Sequence, residues 1–227
     1  MMNLKQKFQR IQSAIKAVKF TPVKTPAFFK HAFPKALWHM PKSEEALYLT
    51  FDDGPTPEIT EWVLDTLNDY NAKATFFCIG KNVRKHPEIY QKIIEQGHAI
   101  GNHTEDHIKG WTNNTDAYLK SVEQASEVIE SSLFRPPYGQ ISPKQLRALS
   151  NLGYKVVMWN VLSMDWDQSL SEETCLRNVM KYTKSGSIIV FHDSVKAKSN
   201  MTYCLPKVLD YYSKLGYKFK RIPELIQ

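Results

Sequence analysis

Short apolar runs alternate with stretches of helical period along most of the chain. Runs a few positions long suit strands buried on both faces, whereas apolar residues spaced by three and four suit helices that bury one stripe. On that pattern ALYLTF (46–51) is a strand, 57–70 a helix, KATFFCI (73–79) a strand, and 87–96 a helix closed by Gly97. HAIGN (98–102) is the next strand, followed by a helix over 115–131 with Thr115 as its cap. A helix opened by Ser142-Pro143 ends near Gly153, and YKVVMWNV (154–161) is a strand. Residues 170–182 are helical, SIIVF (187–191) is the most apolar strand, 203–215 is a helix stopped by Gly216, and YKFK (217–220) is a last short strand. This alternation predicts an α/β fold of about seven parallel strands with helices outside. Either an open doubly wound sheet or a small closed (β/α) barrel would satisfy it. Neither a G-x-G-x-x-G turn nor a P-loop is present, so the nucleotide-binding open sheets lose their main sequence support and the barrel gains.

The segment ahead of the first strand reads differently. Leu4, Phe8, Ile11, Ile15 and Val18 make 3–19 an amphipathic helix with Lys and Arg on its other faces. Such a helix packs on the domain, frays, or lies on an anionic lipid surface. Residues 21–42, with Pro22, Pro26, Pro34 and Pro41, form a linker or an irregular wrap. The expected organisation is a basic extension over 1–43 and one domain over 44–227.

Charge supports that division. The 227 residues carry 30 Lys and Arg against 23 Asp and Glu, a formal +7. Nine of the basic residues fall within 1–42 with no acid among them, which leaves 21 basic against 23 acidic from Ser43 onward. The folded body is near neutral, unlike a nucleic-acid reader, and the excess belongs to an arm. Cys78, Cys175 and Cys204 are odd in number and widely spaced, which argues against a disulfide framework or a thiolate zinc site. Neither a secretory apolar run nor a membrane-spanning one is present, so a cytoplasmic or membrane-peripheral location is expected.

Candidate chemistry comes from position. Asp52-Asp53 follow the first strand, His103 the third, Arg135 the segment after the fourth helix, Asp165 the WNV strand, and His192 the SIIVF strand. In a parallel β/α architecture all of these lie on the carboxyl-end rim, where loops converge on one site. Singly, each has a plain explanation: Asp52-Asp53-Gly54-Pro55 a turn, His103-x-x-x-His107 a helical turn with no ligand, Arg135-Pro136-Pro137 a rigid loop, His192-Asp193 a buried histidine with a local partner. Their joint occurrence favours a functional reading.

TFDDGP (50–55), HTEDH (103–107), RPPYG (135–139), DW (165–166) and VFHD (190–193) resemble the five ordered motifs of the NodB-type polysaccharide deacetylases, carbohydrate esterase family four. The resemblance runs from residue 46 to about 220 and implies a distorted (β/α) barrel. It implies a catalytic domain that removes N-acetyl groups from N-acetylglucosamine-containing glycans. It further implies that Asp53, His103 and His107 hold a divalent cation, Zn²⁺ by the chemistry of the set. Asp52 then matches the general base, Arg135 the residue that holds it, and the Tyr138 backbone N–H the oxyanion donor. His192 matches the general acid and Asp165 its support. Trp166 and Val190 are candidate walls for the acetyl methyl, and Trp111, Tyr138 and Trp166 candidate platforms for sugar faces. One position departs from the pattern: the family's fourth motif usually has Asp three residues before the Asp-Trp pair, and here Leu162 stands there. The competing expectations are an O-acetyl ester or non-sugar amide hydrolase on the same scaffold, and a sugar-binding module without catalysis.

Overall fold

The structure, a computed structural model, describes residues 22–42 and 45–224. The expected 3–19 helix and its lipid contact lie outside the described residues. In chain order the elements are α1 (Ala27–Ala32), β1 (Ala46–Asp52), α2 (Ile59–Asp69), β2 (Thr75–Cys78), α3 (Gly80–Lys85), α4 (Pro87–Glu95), β3 (Ala99–Asn102) and α5 (Thr115–Ser126). There follow β4 (Leu133–Phe134), a 3-10 turn (Pro137–Gly139), α6 (Pro143–Asn151), β5 (Lys155–Val156), β6 (Val161–Leu162), α7 (Glu172–Tyr182), β7 (Ile188–His192), α8 (Lys198–Lys214) and β8 (Lys218–Phe219).

The strands form one curled parallel sheet in the order β5-β4-β3-β2-β1-β7-β6, with β8 beside the first residues of β1. This is the distorted (β/α) barrel that the sequence led us to expect. Strand periodicity sorts β1 into two faces. Leu47, Leu49 and Phe51 pack among the apolar sides of α2 and α8, in a cluster with Val63, Leu67, Leu205 and Val208. Ala46 and Tyr48 instead meet Phe77, Leu133, Val157 and Ile188 in the barrel interior. Thr50 and Asp52 share that interior face, so the polar end of β1 emerges at the carboxyl rim.

The expected single strand over 154–161 is two short strands. Residues 157–160 between them bend because their polar groups are taken from elsewhere: Arg135 Nε and Nη2 donate to the carbonyls of Val157 and Met158 at 3.3 and 3.1 Å. The Asn160 amide replaces a ladder bond, Oδ1 accepting the Ile188 N–H at 2.7 Å. Residues 22–42 wrap over this bend. The Leu37 N–H donates to Val156 O at 2.8 Å, its carbonyl accepts the Met158 N–H at 2.7 Å, and the Leu162 N–H reaches Val23 O at 2.9 Å. Phe33, Ala36 and Trp38 complete a core with Tyr118, Phe134 and Leu149.

Several boundaries differ from the sequence pattern. Asn114, not Thr115, caps α5, its side chain accepting the Ala117 N–H at 2.8 Å, and the helix stops at Ser126 so that Ile129 drops into the main core. α8 begins at Lys198, five residues before the expected start. The sequence pattern puts Pro206 one turn into the helix, near its start. Here it sits mid-helix, and the burial of Met201, Cys204, Leu205, Val208 and Leu209 on the same helix offsets the lost bond. α3 and the two-residue β4 escaped the pattern because both are too short for a period to register.

Candidate active site

Parallel register places the rim residues. Asp52 is the Cα partner of His192 across β1 and β7, so their side chains leave the sheet on one face about 4.8 Å apart at the backbone. β3 pairs with β4 at Asn102 and Phe134, which brings the following residues, His103 and Arg135, side by side.

Asp53, His103 and His107 form one cluster whose candidate ligand atoms all lie within 4.8 Å of one another. Asp53 Oδ1 is 3.2 Å from His107 Nε2 and 3.8 Å from His103 Nε2. His103 is 2% exposed, and its Nδ1 sits 2.7 Å from the Arg135 carbonyl. That contact assigns the proton to Nδ1 and leaves the Nε2 lone pair directed at Asp53. Burial pushes both imidazoles below their ordinary pKa, toward the neutral form that ligates; Asp53 opposes this. Asp53 Oδ1 is buried without a hydrogen-bond donor. An orphaned carboxylate oxygen facing the Nε2 atoms of two imidazoles is the donor set of a cation site. Ligand atoms around tetrahedral zinc stand about 3.3 Å apart, near the separations seen. The residues fit a divalent cation.

The two histidines do not meet through the helical turn that their spacing suggested. Residues 103–107 form a loop in which Thr104 and His107 have φ of 66° and 55°. Asn102 locks the first of these, Oδ1 accepting the Thr104 N–H at 2.8 Å while Nδ2 donates to Val122 O at 2.9 Å. Asp53 (φ 86°), Tyr138 (59°) and Met164 (66°) are left-handed as well. Five of the seven positive-φ non-glycine residues among the described residues therefore border this site. Such strain persists where surrounding contacts over-determine it.

Beside the cluster lies Asp52, 5% exposed. Its Oδ1 accepts Arg135 Nη1 at 2.7 Å. Arg135 is wholly buried, donates also to Thr50 Oγ1 at 2.7 Å, and stands 4.1 Å over the Phe77 ring. Burial pulls its pKa down and Asp52 pulls it up, but a guanidinium has ample margin to remain a cation.

On the other flank, His192 Nδ1 is 2.8 Å from Asp165 Oδ1, and its backbone N–H donates to Asp165 Oδ2 at 2.8 Å. Burial disfavours the imidazolium, yet the Asp165 charge and hydrogen bond prevail and push His192 up to about 9. The Trp166 ring packs edge-on against His192 at 4.7 Å.

Tyr138 is 57% exposed, its ring 4.5 Å from that of His107, with Lys109 Nζ 5.0 Å away. Val190 is buried. Trp111 is half-buried with its indole N–H on Ile141 O at 3.2 Å, which is a packing contact. Leu162, at the position that departs from the motif, is buried and pairs with Val190 across β6 and β7. From the sequence, Thr50 and Asn102 received no role and Asp193 was read only as a local partner of His192; His192 pairs instead with Asp165, and the Asp193 carboxylate turns onto Gly54 and Thr60.

Fold and site together define a class: a parallel (β/α) barrel whose carboxyl rim carries a carboxylate–diimidazole cluster, with a buried Asp–Arg pair on one side and a half-buried histidine on a buried Asp on the other. Residues 39–157 match the family model described as Polysaccharide deacetylase. A peptidoglycan-N-acetylglucosamine deacetylase of Bacillus cereus is 33% identical over 201 residues, covering 84% of this chain and 92% of its own. A chitooligosaccharide deacetylase of Azorhizobium caulinodans is 33% identical over 159 residues, 67% of this chain and 75% of its own. The crystal structure of the Bc1960 peptidoglycan N-acetylglucosamine deacetylase superposes with a TM-score of 0.79 at 32% identity, covering 83% of this chain and 91% of that one. The chain belongs to the polysaccharide deacetylase family and is a hydrolase of that class.

Proposed function

We propose that this protein hydrolyses the N-acetyl group of an N-acetylglucosamine-containing glycan with the help of a divalent cation, Zn²⁺, held by Asp53, His103 and His107. The observation that carries this reading is the orphaned Asp53 Oδ1 facing Nε2 of both His103 and His107, between the Asp52–Arg135 pair and the His192–Asp165 pair.

Amide hydrolysis needs a nucleophile, stabilisation of a tetrahedral oxyanion, and a proton for an amine that leaves poorly. A cation in the cluster, when bound, supplies Lewis acidity toward the acetyl carbonyl and makes water more acidic. Asp52 takes a proton from the attacking water as the new C–O bond forms. Arg135 fixes the orientation of Asp52 and offsets the charge of two adjacent carboxylates. The Tyr138 N–H donates to the oxyanion. As the C–N bond breaks, His192 gives its Nε2 proton to the leaving nitrogen, because Nδ1 is committed to Asp165. Acetate and a free amine result. The relatives' substrates support an acetylated glycan, and the exposed Tyr138 ring beside His107 offers a face for a pyranose.

Acetate release from peptidoglycan fragments, chitin oligomers and acetylated xylan, with and without added zinc, tests the proposal. Zinc-dependent release from the first two, abolished along with zinc binding in His103→Ala, is expected. Release from xylan alone overturns the N-acetyl assignment, and binding without release favours a non-catalytic module.

A further inference from the structure

The Asp193 side chain is fully buried, directly follows His192, and has no part in the chemistry above. Its backbone N–H donates to Asp52 O at 3.2 Å, carrying the β1–β7 ladder one step further. Its carboxylate turns back onto the loop that leaves β1. Oδ1 accepts the Gly54 N–H at 3.0 Å and Oδ2 accepts the Thr60 hydroxyl at 2.6 Å. Thr60 Oγ1 in turn accepts the Thr56 N–H at 2.7 Å. Glycine at 54 is what admits the carboxylate, since a Cβ there would stand 1.9 Å from Asp193 Oδ2.

Between the end of β1 and the gripped Gly54 stands Asp53, in the left-handed conformation that side chains with a Cβ avoid. Asn82 Nδ2 donates to its carbonyl at 2.7 Å from the other side. In this conformation its carboxylate faces His103 and His107. The backbone of Asp53 is thus held through its neighbours rather than by its own preference.

We propose that Asp193, with Thr60, is a positioning residue for the cation site: it clamps Gly54 so that Asp53 is fixed in ligand orientation before a cation arrives. Because Asp193 follows His192, the same strand end sets the proton donor and the carboxylate ligand relative to one another. A ligand held ready loses less freedom on binding, so removing the clamp weakens the site without removing a ligand. The inference rests on the assignment of Asp53 as a ligand.

The test uses the full chain, stripped of metal, as Asp193→Ala, Thr60→Val and Thr60→Ser. Zinc affinity is read by chelator competition well below each variant's Tm, and amide hydrogen exchange is followed over residues 52–61 in the metal-free protein. Asp193→Ala and Thr60→Val are expected to bind zinc about 10–100-fold more weakly and to exchange the Gly54 amide faster. Thr60→Ser, which keeps the hydroxyl, is expected to restore both. A merely structural role would lower Tm and leave the affinity of the folded protein unchanged. Folded Thr60→Val with wild-type zinc affinity and wild-type exchange overturns the proposal; that variant keeps the side-chain shape and decides the matter if Asp193→Ala does not fold. Asp53→Ala is the control for the ligand assignment: wild-type zinc affinity there refutes the assignment, while the metal-free exchange measurement still judges the clamp.

Discussion

His192 shows how one neighbour sets the chemistry of a residue. Burial alone would discharge an imidazole, and Asp165 reverses that, so the folded-state pKa rises from 6.5 to about 9. A raised pKa places the stabilising effect of the His192–Asp165 pair fully below about pH 6.5. The effect is lost as pH rises through about 9. The same proton serves the leaving nitrogen, so kcat/KM is expected to hold through neutral pH and fall with an alkaline limb near 9. In Asp165→Asn, only the charges of Asp53 and Asp52 still oppose burial, so the limb is expected to move to lower pH and the rate at pH 7.5 to fall. A pH profile of kcat/KM for both proteins checks this, and an unmoved limb would assign the proton donor elsewhere. The identity of His192 and Asp165 as a candidate pair was legible in the motifs; the direction of the shift depends on burial and a 2.8 Å contact.

At the scale of elements, parallel strand ends gathered the site and loops aimed it. The order of strands and helices was readable because β1, β2 and β7 are buried along almost their whole length and therefore mostly apolar. The break between β5 and β6 was not, because it arises when Arg135 and Asn160 take the polar groups of that segment. Nor was the path of residues 22–42, where scattered prolines gave no period. Trp38 is 8% exposed and its indole N–H reaches Phe33 O at 3.1 Å, which fixes this wrap against α5 and α6. Trp38→Ala is expected to cost about 3–5 kcal/mol. The corresponding fall in Tm, on the order of 10 °C, is measurable by calorimetry. A loss below about 1 kcal/mol would mean that the wrap contributes little to stability.

Over the whole molecule, charge is segregated from chemistry: nine cations and no acid fall within residues 1–42, of which 22–42 pack on an otherwise near-neutral body. Among the described residues no helix is long and apolar enough to cross a membrane. The sequence leaves residues 3–19 to pack on the domain, fray or meet anionic lipid, and we propose the last as the reading to test. Co-sedimentation with anionic vesicles is expected to be lost on deleting 1–20 and to weaken in high salt, whereas pelleting that survives the deletion refutes it.

The amino-acid sequence by itself determined the alternation of buried strands and one-sided helices, and the residue types waiting at each strand end, because both depend on local periodicity and on which residue follows which. Tertiary structure alone decided that Asp53, His103 and His107 face one another, that Arg135 reaches Asp52 through the barrel interior, and that Asp193 grips Gly54. Those outcomes depend on strand register, on left-handed backbone held by distant hydrogen bonds, and on the desolvation that only a closed fold imposes.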